Sequence, residues 1–378
     1  MRRKQRLLLL LVLLMTAATG AWAQSATTTY TVNLNDGTED NPTTWTGKVG
    51  EATTFSALPL EGVAEGQKVT LKYGGTRKVK SITATLEAPV PEGAIKGKFT
   101  VNADGKQVHF AKGNLQATYY DADWSDGTPG TWTWAFAANQ WDYIGGAEYN
   151  TSTTEWSGTK TGNNFINGDG KMSENGTVDL FGWSTYGTKY GIHNSENILD
   201  YSDEFVDWGR TIGTGWRTLS KDEWNYLFFT RESGSKVNGI DPSPTNARYT
   251  HATINTDNGT NGIHGMILFP DGVTIDGSKV SSWGNINGAS TWDAVTKCTT
   301  SQWNALAAKG FVFLPTGGIR LATSVTRPDV EGYYWSSDTD PSNSCNSYFI
   351  PVIGPLAPIT NDDSRRCGFS VRLVYDIE

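Results

Sequence analysis

The chain has 378 residues, with 31 basic and 39 acidic side chains and a formal net charge of −8. No basic stripe runs along it, which excludes nucleic acid as a natural partner. With 42 glycines, 15 tryptophans and many Asn/Thr runs, it reads as a loop-rich, mostly β extracellular protein of one large domain and one small one.

The N-terminus, MRRKQRLLLLLVLLMTAATGAWAQ, sets Arg2, Arg3, Lys4 and Arg6 before a short apolar run from Leu7 to Met15. Ala21-Trp22-Ala23 then forms an A-x-A cleavage site. These features predict a secretory signal peptide over residues 1–23 and a secreted or cell-surface product. Without the basic residues of that segment the remaining chain is more acidic still. No Cys follows the apolar run, so no lipid anchor is expected there, and no later stretch is apolar enough to span a bilayer.

Residues 28–88 alternate with period two in TTYTVNLN, KVTLKYG and KVKSITATLE, with a turn at Gly74-Gly75. This predicts a small all-β module. Its style, in LNDGTED and KYGGTRKVKS, resembles the Ig-like or internalin-type repeats of secreted bacterial proteins, and implies a spacer. Residues 89–95, with Pro89 and Pro91, read as a stiff linker. A second domain is expected over residues 96–378.

Two helices are predicted in that domain. In TLSKDEWNYLFFTRES, Ser220 and Glu223 make a capping box, and Trp224, Leu227, Phe228 and Arg231 follow at i, i+3, i+4 and i+7. In TTSQWNALAAKG, Thr299 and Gln302 make another box, Trp303, Leu306 and Ala307 share a face, and Gly310 ends the helix. FVFLPTGGIR follows as a buried strand. Two helices among short strands and long loops define α+β.

FAANQWDYIG, VDLFGWST, GWRTLSKDEWNYLFFTR, ALAAKGFVFLPTGGIR, GYYWSSD and GFSVRLV occur in this order. The set resembles the Fibrobacter succinogenes major paralogous domain family, and implies a C-type-lectin-like fold related to the formylglycine-generating enzyme, from about Lys96 to Val374. Arg217, Ser220, Glu223 and Trp224 match the register of that family's Arg-Leu-Pro-Thr-x-x-Glu-Trp helix opening; Thr218 and Leu219 stand where Leu and Pro would sit. The resemblance implies a scaffold, since this fold hosts enzymes and binders alike.

The terminal segment also resembles the variable region of proteins targeted by diversity-generating retroelements, whose adenine-directed mutagenesis of Asn codons never yields Met, Trp, Gln, Lys or Glu. Ser336 to Ile377 contains none of these five types. The frame is Trp335-Ser336-Ser337 on one side and Gly368-Phe369-Ser370-Val371-Arg372 on the other. Phe369, Val371 and Leu373 alternate with Ser370, Arg372 and Val374, as in a strand. Between them, Tyr348 to Asp363 follows no period. The expected ligand-binding residues are Asn343, Asn346, Tyr348, Ile350, Val352, Ile353, Leu356, Ile359, Asn361, Asp362 and Asp363. The aliphatic members would form an exposed contact patch, and the acids its polar edge. The opposing reading buries those aliphatics in the core. Pro351, Pro355 and Pro358 favour exposure, because proline is excluded from central strands.

Catalysis is not expected. The oxidase relatives of this fold bind copper through closely spaced cysteines, whereas Cys298, Cys345 and Cys367 are far apart. Iron-dependent relatives use a histidine cluster, and His109, His193, His251 and His264 form no His-x-x-x-His pair. There is no His-Glu-x-x-His, Gly-x-Ser-x-Gly or phosphate loop. The Asn255–Asn261 and Asn167–Asp169 stretches read as turns; they lack an EF-hand glutamate. Neither Glu-Pro-Asn nor Gln-Pro-Asp is present, which argues against calcium-mediated sugar binding. No cofactor is implied. An odd cysteine count allows one bridge at most, for which Cys345 and Cys367 are the nearest pair. Trp132, Trp134, Trp141, Trp156, Trp183 and Trp208 read first as core and second as sugar-stacking surfaces. The expected function is therefore recognition of a protein or glycan on another cell or a phage. The alternatives are a structural or adhesive surface component and a carbohydrate-binding module.

Overall fold

The structure, a computed structural model, describes residues 29–35, 43–48, 68–69, 81–86, 90–183, 190–194, 205–255 and 262–377. The expected signal peptide, the expected Gly74-Gly75 turn and residues 256–261 lie outside these. The chain divides into two compact units, Met1–Pro91 and Glu92–Glu378.

The first unit holds β1 (Thr29–Asn35), β2 (Thr43–Lys48), β3 (Lys68–Val69) and β4 (Ser81–Leu86) in one antiparallel sheet of order β2-β1-β4-β3.

The second unit is α+β: several small, mainly antiparallel sheets with two short helices. In chain order its strands are β5 (Phe99–Thr100), β6 (Gln107–Phe110), β7 (Leu115–Tyr120), β8 (Thr131–Phe136), β9 (Glu148–Asn150), β10 (Glu155–Ser157), β11 (Gly176–Val178) and β12 (Trp216–Arg217). There follow helix α1 (Lys221–Asn225), β13 (Lys236–Asn238), β14 (Tyr249–Asn255), β15 (Gly262–Leu268), β16 (Thr274–Asp276), β17 (Thr296–Thr299) and helix α2 (Thr300–Ala307). The last are β18 (Val312–Pro315), β19 (Ile319–Leu321), β20 (Ser324–Thr326), β21 (Glu331–Thr339), β22 (Asn346–Ile353), β23 (Asn361–Ser364) and β24 (Val374–Asp376). The larger sheets run β12-β24-β6-β5, β11-β7-β8, β17-β14-β15-β18 and β21-β22-β23. Pairing begins before β5: Ala94 bridges Ala111, and Ile95 donates to the Phe110 carbonyl at 2.8 Å.

Both capping boxes form. Ser220 Oγ accepts from Glu223 N at 3.1 Å while Glu223 Oε2 accepts from Ser220 N at 2.9 Å. Thr299 and Gln302 exchange the same pair of bonds at 3.2 and 2.9 Å. Trp224, Leu227, Phe228 and Arg231 are all fully buried. The expected single helix nonetheless changes character: after Asn225 the backbone widens into a π turn, Tyr226–Thr230, closed by Arg231 N on the Tyr226 carbonyl. The wider turn delivers Arg231 to Asp271, 2.8 Å away and 40 residues on. Past α2, Gly310 adopts φ +92°, open to glycine at no steric cost, and its α-carbon packs on the Gly97 backbone.

The β21-β22-β23 sheet is an inner layer. Trp335 and Phe349 pair across it and join a cluster with Phe181, Trp183, Trp208 and Phe369. On its other face Tyr334, Ile350 and Val352 join Phe110, Trp224, Phe228 and Leu314. A third cluster forms around Ile254, Ile267, Trp303 and Phe313. Trp183, Trp208 and Trp335 are fully buried, and each indole N–H donates to a backbone carbonyl, those of Ser336, Tyr190 and Phe181 at 2.7–2.8 Å. This is the condition for burying tryptophan cheaply.

The expected half-exposed strand from Phe369 to Val374 is instead buried on both faces. Ser370 is 0 % and Arg372 1 % exposed. Arg372 Nη1 donates to Asn114 Oδ1 at 3.1 Å and Nη2 to Gln140 Oε1 at 2.9 Å. Asn114 Nδ2 in turn donates to the Tyr334 hydroxyl, which donates to the Pro315 carbonyl at 2.7 Å. Burial holds the Arg372 guanidinium down at about 10. Gly368 fits where a Cβ would lie 2.7 Å from Arg320 Cβ, so the close backbone approach expected of it is real.

Two predictions follow from these buried polar groups. Tyr334→Phe strands Asn114 Nδ2 and leaves the Pro315 carbonyl with only its Gly317 N–H bond, and should cost about 1–3 kcal/mol in urea unfolding. Asp179 is fully buried, and burial pushes its carboxyl up to about 6 despite hydrogen bonds from Asn163 Nδ2 and Ile144 N. His251 is pushed the other way, down to about 4, also by burial. Below pH 6 the folded protein therefore keeps a proton on Asp179 that the unfolded chain releases down to its ordinary 3.8. Asp179 thus makes folding more favourable as pH falls from 6 towards 4, partly offsetting His251 and His193, the latter lowered to about 3 by burial and by Arg320, which make it less so. Asp179→Asn should steepen the loss of stability on acidification between pH 6 and 4 by about 1.4 kcal/mol per pH unit, read by urea midpoints at several pH values.

Candidate functional site

The residues expected to bind ligand do not form one surface. β22 is the middle strand of its sheet, paired to β21 from Glu331↔Ile353 to Trp335↔Phe349 and to β23 from Asn346↔Ser364 to Phe349↔Asn361. Ile350 and Val352 are 0 % exposed core residues, which corrects the expectation that they are displayed. Pro351 is tolerated in this strand because β23 ends opposite Phe349. Beyond that point one side of β22 has no neighbouring strand, and the missing N–H is not needed. Ile353, at the strand's end, is half-buried.

The remaining positions separate to the two ends of β22. At its start, Asn343 is exposed in the β21–β22 loop. Asn346 Nδ2 donates to Asp362 Oδ2 at 2.7 Å, and the Tyr348 hydroxyl donates to Asp340 Oδ1 at 3.4 Å. The Lys221 ammonium sits 3.7 Å from the Tyr348 ring centroid, and the Lys221 amide donates to Asp338 Oδ2. Asn346, Tyr348, Asp362 and Asp363 are half-buried and Asn361 is exposed. Behind them the buried Arg365 donates to the Asn346 carbonyl and Ser347 Oγ and stacks on Trp183 at 4.5 Å. This end is a fixed polar surface.

At the other end, the loop between β22 and β23 carries the most exposed aliphatic side chains among the described residues, Leu356 at 51 % and Ile359 at 62 %. The loop is held at both ends, by a backbone bond at one and a side-chain bond at the other. The Gly354 carbonyl accepts from Ser290 N at 3.0 Å, Gly354 itself lies against the Trp292 ring, and Thr360 Oγ1 donates to Asn225 Oδ1 at 3.0 Å. Trp292 stacks on His264 at 4.5 Å and donates to the Val330 carbonyl. Val330, next to the Glu331–Ile353 pair, and Phe229, one turn past Asn225, are also exposed. Sequence reasoning missed Trp292, Val330 and Phe229. The first two occupy stretches without a periodic pattern. Phe229 is the position left off the face that Trp224, Leu227 and Phe228 define, and that was the available signal.

No disulfide joins Cys345 to Cys367. The Cys367 thiol is buried and held up at about 12, chiefly by desolvation. Among the described residues no three His, Cys, Asp or Glu side chains gather as a metal site, and Asn167–Lys171 closes as a turn through a 2.8 Å backbone bond. Trp132, Trp134 and Trp141 are partly buried against core clusters. Trp156 lies on the β9–β10 hairpin beside Tyr149. Among the described residues no helix is long and apolar enough to cross a membrane. Comparison with family models, with curated proteins and with solved structures returns no match.

The two kinds of aliphatic residue in this segment should separate experimentally. Ile350→Asp buries a carboxylate in the core and should abolish cooperative folding. Leu356→Asp and Ile359→Asp should each stay within about 0.5 kcal/mol of wild type in urea unfolding.

Proposed function

We propose that the protein is a secreted or surface-held binding protein without catalytic activity, in which a C-type-lectin-like scaffold, carried on a small Ig-like module, displays the β22–β23 loop to a protein or glycan of another cell or phage. The observation that carries this reading is the pairing of a loop anchored at both ends with displayed side chains at 354–360. Gly354 and Thr360 anchor the loop, and Leu356 and Ile359 remain more than half exposed on it. Exposed aliphatic residues on a fixed loop mark contact surfaces. The motif resemblance and the absence of Met, Trp, Gln, Lys and Glu between Ser336 and Ile377 support a diversified segment. The buried Ile350, Val352, Arg365 and Phe369 limit that diversity to the strand ends.

The burial of Ile350 and Val352 favours a second reading, a structural or adhesive component with its terminal segment mostly core. Capture of intact bacteria and phage particles on immobilised protein separates the two. Capture by wild type that is lost in the Leu356→Asp/Ile359→Asp double variant supports recognition by the loop; equal capture by both overturns it. Amplicon sequencing of the gene across a host population addresses diversification. Substitutions should concentrate at exposed codons such as 343, 356, 359 and 361 and spare 350, 352, 365 and 369, whereas equal variation in codons 297–335 counts against it.

A further inference from the structure

We propose that the outer edge of β8 is an interface at which a second copy of this chain adds its own β8, forming a weak antiparallel dimer.

β8 is the outermost strand of the β11-β7-β8 sheet. Among the described residues it pairs only with β7, from Leu115↔Phe136 to Tyr120↔Thr131, and no other hydrogen bond involves residues 131–136. Its outward N–H and C=O groups are therefore a template for another strand. Proteins normally blunt such edges with charge, proline or brevity. The other outer strands of four or more residues here follow that rule: Lys48 in β2, Lys297 in β17, Pro315 in β18, Glu331 and Asp338 in β21, Asp362 and Asp363 in β23. The six-residue β8, TWTWAF, carries neither charge nor proline.

Burial points to the same edge. On the inward face of β7, Leu115 and Ala117 are 0 % and Tyr119 6 % exposed. Their neighbours on β8, Trp132, Trp134 and Phe136, are only half-buried, so cover thins towards the edge. The opposite face of β8, with Thr131, Thr133 and Ala135, is solvent-exposed.

The occupant follows from the pattern of this strand. Residues directly opposite in an antiparallel pair share a face. Pairing Thr133 with Thr133 of a second copy sets Trp132 against Trp134 and Thr131 against Ala135. Every aromatic ring then stays on the half-buried side, where it extends the existing row Tyr119, Trp132, Trp134. No charge stands on β8 itself, although the chain as a whole is acidic. A heterologous peptide would need pockets for its alternate side chains, and a row of Thr, Thr and Ala makes none. Six residues span about 20 Å, which buries less than the roughly 1,200 Å² of a standard interface. The dimer is accordingly weak and concentration-dependent. It would present two copies of the displayed loop, although the interface stands independently of the function proposed above.

Sedimentation velocity on the purified protein from about 1 to about 500 μM tests this. Wild type should move from monomer to dimer across that range. Thr133→Lys and Thr133→Glu, both at an exposed position, should each raise the midpoint at least about tenfold, with unchanged circular dichroism and thermal midpoint. An equimolar mixture of the two variants should recover wild-type association. Wild type that stays monomeric throughout overturns the proposal and leaves the edge to a strand from another molecule. Variants that dimerise as wild type does, or a mixture no better than its components, overturn it equally.

Discussion

A guanidinium buried without a carboxylate organises the second unit. Arg372 donates through Nη1 and Nη2 to Asn114 and Gln140, amide oxygens from segments more than two hundred residues upstream, and its Nε is left without a partner. Gln140 also accepts from Phe313 N and donates to the Phe311 carbonyl, and Asn114 reaches Tyr334. One cation thus fixes the entry to β7, the segment after β8, β18 and β21 relative to one another. A charge in this setting stabilises little by itself, because its desolvation offsets most of what its hydrogen bonds contribute. What it does impose is uniqueness: a shifted register in any of these segments leaves the charge or an amide unpaired.

That rigidity explains how β22 can be core and still end in display. Its middle is clamped between two aromatic clusters through Phe349 on one face and Ile350 and Val352 on the other. Its ends leave the clamp in different chemical company, polar beside Lys221 and Asp362, and apolar beside Trp292 and Val330. The side chains at the two ends can change independently, because neither set completes the core.

Local signals were legible in the sequence and long-range ones were not. Capping boxes at Ser220/Glu223 and Thr299/Gln302 close within one turn, so four residues suffice to read them. The spacing of Trp224, Leu227, Phe228 and Arg231 named a true core face. The π turn went unread because its reason, Asp271, lies far along the chain. The prolines misdirected the reading of the terminal segment. A proline argues against a strand with neighbours on both sides, yet whether β23 reaches Pro351 depends on a register no local pattern encodes. The alternation at Phe369–Val374 implied one wet face, and only the three-dimensional position of Asn114 and Gln140 shows why Arg372 can be dry.

The place of β24 has a kinetic consequence. This strand, Val374–Asp376, is not at the rim of its sheet but between β12 and β6. Arg217 reaches Asp376 from β12, and Phe369 closes on Phe181. The contacts that complete the core therefore join residues at the largest sequence separations in the unit, and loop closure of that length must precede the reward. Synthesis from the N-terminus cannot yield a finished domain piecemeal: until the final strand is available, β6 and β12 lack the neighbour between them. Closure of this sheet therefore waits for Val374–Asp376, and every contact made earlier is held only by its nearer neighbours.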